Sequence, residues 1–572
     1  MPPARDRFLD YLLLGVVFIS GVLALATLAT GGFATSVWGI RLSSRSLFRP
    51  SVIAAAAALF VLHRFTHRNQ QVSALWTTTR HHASVVAACL AVLAFVIGLR
   101  FSAFEAIAAD QYGYISQAEL WVRGNLIVHE PLAAVAPWPE PARALAPLGY
   151  RPGQQPATIV PTYPPGLPLT MAGLMMLVGP LGAYLAVPLL GSVAIGAAFL
   201  LGTRMAGPTC GLMSATLLLT SPIFLFQLKE PMSDVPATAW WLVALVLLTA
   251  SKSNAATVLA AGLAGSAAIL TRPNIVPLAA PLGMFVLLLA WPHWRKGLGH
   301  ASLFAAGLVP GCVAVGLFNQ VLYGSPLASG YGSITVLFEA QYFGANLARY
   351  PRWLIETETP FVLLALVAPA LIRGDTRRFA WMFLAVAGTL YACYALYVPF
   401  DNWTFLRFLL PAIPLLLILS SVGVLVLSAR LRSDYSRWVV AAMFCLLLAW
   451  RWDTADMKPL RAGERRFAVV GAFVREELPS NAIVVAIIHS GSVRHYSSRR
   501  TLRWDLLGPE WLDPALAFLR TEGYRPYLLI EDWEQAQYLQ RFTGHSKIGG
   551  LDWPPLARYV YSGHHERPFR AS

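Results

Sequence analysis

Asp110 and Asp234 lie at the ends of apolar stretches, where ionisable groups are costly and their positions therefore carry information. Asp110 stands in Phe104-Glu105-Ala106-Ile107-Ala108-Ala109-Asp110-Gln111-Tyr112-Gly113-Tyr114, and Asp234 in Lys229-Glu230-Pro231-Met232-Ser233-Asp234-Val235-Pro236. A carboxylate in such a place can take a proton from a hydroxyl or amine, or help to hold a divalent metal ion. Either aspartate can equally cap a helix, where its charge meets the positive end of the helix dipole. What favours chemistry is the combination of two acids from distant parts of the chain at one membrane face. Residues 114–122, with Ile115, Ala118, Leu120 and Trp121 near one face, read as an amphipathic helix lying on the membrane surface.

An anionic lipid head group would need cations at the same depth. Arg272 ends a span in Leu270-Thr271-Arg272-Pro273-Asn274, and Arg407 opens one in Trp403-Thr404-Phe405-Leu406-Arg407-Phe408-Leu409-Leu410-Pro411. Lys229, next to Glu230, is a third candidate. A guanidinium suits phosphate because its fork donates two parallel hydrogen bonds. Arg and Lys also snorkel at span ends merely to anchor a helix. Together with the two acids they outline a site for an anion with a base beside it. Tyr163-Pro164-Pro165-Gly166-Leu167-Pro168 closes the first outer loop, and its prolines set the angle of the following helix. Trp121, Trp138, Tyr150, Tyr331, Tyr342, Phe343, Trp353 and Trp403 offer faces that stack on sugars and that also form interfacial belts.

These side chains need a scaffold, and composition identifies its solvent. The chain has 572 residues, 56% hydrophobic and only 13% charged, with mean hydropathy +0.55. Soluble domains carry about 25% charged residues, so an ordinary cytosolic enzyme is excluded. Disorder is excluded too, because Pro and Gly sit inside apolar runs. The net charge of +15 is spread over many short loops rather than one stripe, which argues against nucleic acid. Cys89, Cys210, Cys312, Cys393 and Cys445 show no CxxC pairing and imply no disulfide or zinc framework. The fold class is a polytopic α-helical membrane protein.

A span needs about 20 mostly apolar residues. About 13 candidates fall at 8–28, 48–62, 84–99, 167–201, 211–226, 235–250, 255–270, 275–291, 301–321, 360–372, 379–398, 408–427 and 438–450. The first lacks a small-residue cleavage site and reads as a retained anchor. Arg64, Arg68, Arg80, Arg295, Lys296, Arg373, Arg377, Arg378, Arg430, Arg432 and Arg437 mark cytoplasmic loops, while Arg41, Arg45 and Arg49 fall on the disfavoured side. That assignment leaves 101–166, 227–234, 323–359 and 399–406 on the outer face. Residues 167–201 must count as one crossing for the parity, with a half-inserted break near Gly179-Pro180. The transmembrane domain thus covers 1–452, with outer loop 101–166.

From 453 to 572 the chain is polar and cysteine-free. Helical patterns at 468–477, 514–521 and 534–542 alternate with strand-like runs at 482–488 and 527–530, so a small external soluble α/β domain is expected. It has no GxGxxG or Walker pattern to bind a nucleotide, and reads as a lid or acceptor-recognition module.

In this order the motifs resemble those of the GT-C superfamily of membrane glycosyltransferases, in particular bacterial proteins similar to protein O-mannosyltransferases and the lipid A aminoarabinose transferase. The resemblance covers most of the chain. It rests on the acidic first outer loop with Tyr114-Ile115-Ser116-Gln117-Ala118-Glu119-Leu120-Trp121-Val122-Arg123-Gly124, on Tyr163-Pro164-Pro165-Gly166, and on Met232-Ser233-Asp234-Val235-Pro236. Leu270-Thr271-Arg272-Pro273, Arg407-Phe408-Leu409-Leu410-Pro411 and the soluble tail complete it. The resemblance implies transfer of a sugar from a polyprenyl-phosphate carrier to a glycan, lipid or protein acceptor on the outer face of a bacterial plasma membrane. Asp110 would be general base or metal-positioning carboxylate, Asp234 a second acid, and Lys229, Glu230, Arg272, Arg407 and Tyr163 substrate-binding residues. A divalent metal ion is the one cofactor it suggests. Gln111 stands where the family commonly has a second acid, and Tyr163 where some relatives have lysine. The alternatives are a transporter or flippase of lipid-linked sugars, which would carry charges at mid-span, and an inactive scaffold.

Overall fold

A computed structural model describes residues 15–23, 33–37, 40–44, 53, 82–102, 104–250, 254–289, 293–332, 337–374, 376–429, 447, 463–562 and 565–571. The expected spans at 48–62 and 438–450 lie outside the described residues but for single positions, as does most of 8–28. Arg45, Arg49, Arg64, Arg68, Arg80, Arg430, Arg432 and Arg437 lie outside them as well.

The described chain starts with the strand pair β1 (Phe33–Val37) and β2 (Ile40–Ser44). Helix α1 (Ala83–Phe101) follows, apolar but for Ser84 and Arg100 near its ends, with Ala83, Ala87, Ala94, Ile97 and Gly98 forming its buried stripe. Val85, Val92 and Val96 point outward and are half-exposed or more. An apolar outer face on an apolar helix belongs in lipid, since water would leave a large exposed patch. Next come α2 (Asp110–Val122) and a three-stranded antiparallel sheet of β3 (Val128–His129), β4 (Tyr150–Pro152) and β5 (Thr158–Pro161), with β5 central.

The helical body continues with α3 (Gly166–Val178), α4 (Gly182–Ala206), α5 (Pro208–Leu219), α6 (Pro222–Leu228), α7 (Asp234–Leu248) and α8 (Ala255–Thr271). After these run α9 (Ala279–Leu289), α10 (Trp294–Tyr323), α11 (Phe343–Glu358), α12 (Leu364–Leu371), α13 (Thr376–Ala395) and α14 (Ile413–Ala429). Helix α4 is the hub, packed by α1, α3, α5, α7 and α14. Helices α8 and α10 meet through glycines. A Cβ on Gly262 would lie 2.3 Å from the Phe304 carbonyl oxygen, and one on Gly311 2.4 Å from that of Ser266. In lipid no hydrophobic effect drives helices together, so close backbone approach over small residues does the work.

Among the described residues, α1, α4, α10 and α13 are long and apolar enough to cross a membrane, or seven elements if three bent pairs each count once. The single crossing expected over 167–201 is two helices. They separate at Gly179, whose φ of 77° admits glycine readily, and Gly182 then abuts the Leu174 backbone. The spans expected at 211–226 and 408–427 are broken as well, by bends of 63° before Pro222 and 87° between Leu409 and Ile413, and a bend of 116° before Pro360 sets off the one expected at 360–372.

Beyond residue 463, α15 (Arg466–Glu477), β6 (Ala482–Val485), α16 (Ser490–Ser497), β7 (Arg500–Leu502), α17 (Leu512–Thr521), β8 (Arg525–Leu528) and α18 (Gln535–Phe542) build a parallel sheet in the order β7-β6-β8. Central strand β6 is Ala-Ile-Val-Val and wholly buried, as a parallel strand covered on both faces must be. Its core of Ile483, Leu502, Trp504, Leu512, Tyr538 and Phe542 also takes in Leu132, Trp138 and Leu145 from the loop between α2 and α3. The two regions therefore share one hydrophobic cluster.

In this unit Glu531 receives hydrogen bonds from Arg466 (2.7 Å) and Trp533 (2.6 Å) and lies 2.9 Å from His489 Nε2. Burial alone would raise the Glu531 carboxyl, but bonds to His489 and Arg466 pull it down to about 2. Burial lowers His489 in turn. Both groups hold fewer protons folded than unfolded in acid. Their stabilisation is therefore complete above about pH 6.5 and is lost as pH falls, last through the Glu531 value of about 2. Glu531→Gln should cost about 1–3 kcal/mol at pH 7 and flatten the acid limb of the stability curve. Thermal unfolding of the full chain in detergent between pH 7 and 3 reads this, and an unchanged acid limb would contradict it.

Candidate active site

The backbone between α1 and α2 bends sharply, with Phe104 at φ 56° and Ala108 at φ 45°, and delivers Asp110 into the first turn of α2. Ala109 occupies the N-cap, so Asp110 is the first helical residue and not the cap. Its Oδ1 accepts from the Tyr163 hydroxyl at 2.8 Å, and its Oδ2 accepts from Arg407 at 3.2 Å. Arg407 comes from a 3-10 helix, Trp403–Leu409, that precedes α14. The Asp110 side chain remains 32% exposed, so the pair is partly open.

Asp234 opens α7 and forms a buried ion pair with Arg272, which ends α8. Both guanidiniums lie against the Phe408 ring, Arg272 at 5.3 Å and Arg407 at 5.2 Å from its centroid. Asp234 and Asp110 both act electrostatically on Arg407. One turn beyond Asp110, the Tyr114 hydroxyl donates to Ser233 Oγ at 2.9 Å. The structure thus brings Asp110, Tyr163, Arg407, Asp234 and Arg272 into one side-chain cluster. Lys229 and Glu230 are placed differently. They pair at 3.2 Å, almost fully buried, with Gln111 donating to Glu230 at 3.0 Å and Glu464 3.9 Å from Lys229. Adjacent residues on a helix diverge by about 100°, so this cluster attaches to a different face of α2 from Asp110.

The helix that carries Asp110 is largely covered by other parts of the protein. Tyr112, Gly113, Tyr114, Ile115, Gln117 and Ala118 are all buried, because α3 covers one side and α16 another. Its apolar residues serve a protein interior, which the pattern alone cannot tell from lipid. Tyr331 carries no weight as a single belt aromatic, yet its ring meets Tyr163 edge-on at 6.0 Å. Its loop is pinned by Arg151, which donates to the carbonyls of Ser329 (2.8 Å) and Gly330 (3.2 Å). No local signal in the sequence links Tyr331 to Asp110.

Gly166 explains its motif. A Cβ there would sit 2.4 Å from the Thr271 backbone nitrogen, one residue before Arg272. Gly166→Ala should therefore push α3 off the end of α8 and cost about 1–3 kcal/mol, seen as a lower unfolding temperature. A variant as stable as the wild type would show that the two backbones are free to part.

Between α2, α3, α8 and α10 lies an apolar cavity of about 420 Å³, lined by Trp121, Leu126, Pro165, Leu169, Leu270 and Phe318. A smaller cavity shares Pro165 and Phe318 with it and reaches Pro273 and Tyr331, beside Arg272 and Tyr163. The donor set does not suit a divalent ion. Asp110 spends both oxygens on Tyr163 and Arg407, Asp234 is engaged by Arg272, and Gln111 is neutral. Among the described residues no three His, Cys, Asp or Glu side chains converge.

No protein-family model and no curated protein sequence matches the chain. Solved structures do. ArnT from Cupriavidus metallidurans, bound to undecaprenyl phosphate, aligns with a TM-score of 0.51 at 14% identity, over 77% of this chain and 88% of that one. The Archaeoglobus fulgidus oligosaccharyltransferase tethered with an acceptor peptide aligns at 0.51 and 12% identity, over 87% of this chain and 75% of that one. Both have the GT-C architecture. The chain has the GT-C fold. A GT-C fold is an integral membrane fold, which accounts for the outward-facing apolar residues of α1 and α10. The archaeal AglB in complex with an inhibitory peptide and a dolichol-phosphate aligns at 0.50 and 11% identity, over 85% of this chain and 74% of that one.

Proposed function

We propose that this protein transfers a sugar from a polyprenyl-phosphate donor to an acceptor on the outer face of the membrane. One observation carries the reading: Asp110 is held between Tyr163 and Arg407, with the Arg272–Asp234 pair across the same phenylalanine ring. The solved GT-C relatives support it, one bound to undecaprenyl phosphate and one to a dolichol-phosphate.

In this reading the prenyl chain lies along the apolar cavity, where each buried CH₂ stabilises it by about 0.8 kcal/mol. The donor phosphate meets Arg407 and Arg272, which offer forked hydrogen bonds. As Arg407 turns toward phosphate, Oδ2 of Asp110 is released to accept a proton. The acceptor's O–H or N–H bond breaks toward Asp110, and the acceptor atom attacks the anomeric carbon. The bond from that carbon to the phosphate oxygen breaks, and its electron pair leaves with the phosphate. The two guanidiniums then stabilise the added charge, an effect that is strong in a site screened from water. Asp234 holds Arg272 in place, and Tyr163 orients Asp110. Lys229 and Glu230, on another face of α2, set the position of Gln111 beside the base. The residues beyond 453 form the external domain, on the side that the loop charges assign to the outer face.

Purified protein in proteoliposomes, given radiolabelled polyprenyl-phospho-sugar and an acceptor extract, tests the reading. Label passing to acceptor marks the transferase. Uptake without transfer would establish a transporter instead, and neither would establish a scaffold.

A further inference from the structure

The first turn of α16 rests directly on the helix that carries Asp110. A Cβ on Gly491 would lie 2.2 Å from Cδ1 and 2.6 Å from Cγ of Tyr112. The next residue, Gly113, is pressed by the Tyr163 ring in the same way, at 2.0 Å. Gly491 therefore makes room on α16 for the Tyr112 ring of α2, and Gly113 makes room on α2 for the Tyr163 ring, so adjacent residues of α2 are packed from two sides. Gly491 sits in a helix with ordinary backbone angles, so space and not conformational freedom demands glycine there.

The segments flanking α2 are fastened to the same unit. Ala106 N–H donates to the Tyr496 hydroxyl at 2.7 Å, and Leu148 N–H donates to Ser490 Oγ at 3.1 Å. Arg494 donates to the Leu145 carbonyl at 2.5 Å, and Arg503 N–H to that of Ala144 at 2.7 Å. Glu130, only 2% exposed, is neutralised by Arg494 at 2.9 Å and Arg500 at 3.4 Å. A lid that opens would have to break this buried ion network, which is strongly unfavourable. Gly149, between the fastened stretch and β4, packs so close to α2 that a Cβ there would lie 2.8 Å from the Ala109 carbonyl oxygen.

We infer that α16 is a fixed brace that positions Asp110, with Gly491 as the positioning residue, so that the C-terminal unit is part of the transfer site and not a removable lid. The inference rests on the transferase reading for its effect on rate, but the brace itself can be read without turnover.

Gly491→Ala adds a methyl group that overlaps the Tyr112 ring and must move one helix against the other. A displacement on the scale of an ångström at a catalytic group costs about 10- to 100-fold in kcat. The donor KM should change much less than kcat, because Arg272 and Arg407 are not on α2 and Trp121 is only one of several residues lining the prenyl cavity. Tyr112→Leu combined with Gly491→Ala makes room again and should restore most of kcat. Hydrogen exchange over residues 106–118 should be faster in Gly491→Ala than in the wild type and slower again in the double variant. Wild-type kcat and exchange in Gly491→Ala, or a double variant no better than the single, would overturn the brace. If Gly491→Ala does not fold, Tyr496→Phe carries the test by removing the acceptor of Ala106 N–H. It should speed exchange at that amide and lower kcat, and no change in either overturns the brace. A wild-type protein that transfers no sugar refutes the transferase reading, while exchange over 106–118 still decides the brace.

Discussion

Asp110→Asn lowers kcat for sugar transfer by about 100- to 10,000-fold, the range expected when a positioned proton acceptor is lost. The change is nearly isosteric. Asparagine keeps an oxygen for the Tyr163 hydroxyl, now 2.8 Å from Oδ1, and puts an uncharged NH2 donor in place of the carboxylate oxygen that accepts from Arg407. That ion pair is partly exposed, with the two side chains 17% and 32% accessible, so its loss should change stability by about 1 kcal/mol or less. Donor binding should hold or tighten slightly, since Arg407 no longer has a competing carboxylate. The measurement is transfer of radiolabelled sugar by purified variant and wild type at equal protein, with thermal unfolding as the control for folding. A variant that turns over at the wild-type rate removes Asp110 from the mechanism.

Arg272→Met behaves differently, because its partner is buried. Asp234 is 3% and Arg272 11% exposed, so removing the cation leaves a carboxylate uncompensated in the interior. Breaking such a pair costs about 3–5 kcal/mol, whereas replacing both partners by apolar side chains is often neutral. Arg272→Met should therefore unfold or express poorly, and Arg272→Met with Asp234→Leu should recover most of the stability. Activity separates a structural pair from a functional one. With the phosphate-binding guanidinium gone, the double variant should stay folded yet lose transfer by about 100-fold or more. A double variant that is both stable and fully active would show that the pair only holds α7 to α8.

Several parts of the site are readable from local chemistry. Asp110, Asp234, Arg272 and Arg407 are ionisable residues at the ends of apolar runs, and a lipid environment tolerates such groups only when they are paired. The structure pairs all four. The Tyr163-Pro164-Pro165-Gly166 motif points to a fixed turn into α3, although the reason for Gly166 is a backbone contact with Thr271 that lies far away in sequence. Lys229 and Glu230 look the same in sequence as the residues around Asp110, but one step of helical rotation in their partner Gln111 carries them to a separate cluster.

Composition and apolar run length by themselves determined that this chain is a helical membrane protein, because both report a one-body property, the transfer of each side chain from water to lipid. The break of 167–201 at Gly179 was also legible, but which acid meets which arginine and which residues of α2 protein covers were decided by tertiary packing alone. Those outcomes depend on pairs of residues as far apart as Asp110 and Arg407, or Tyr112 and Gly491, whose contact energy exists only once the intervening chain has folded.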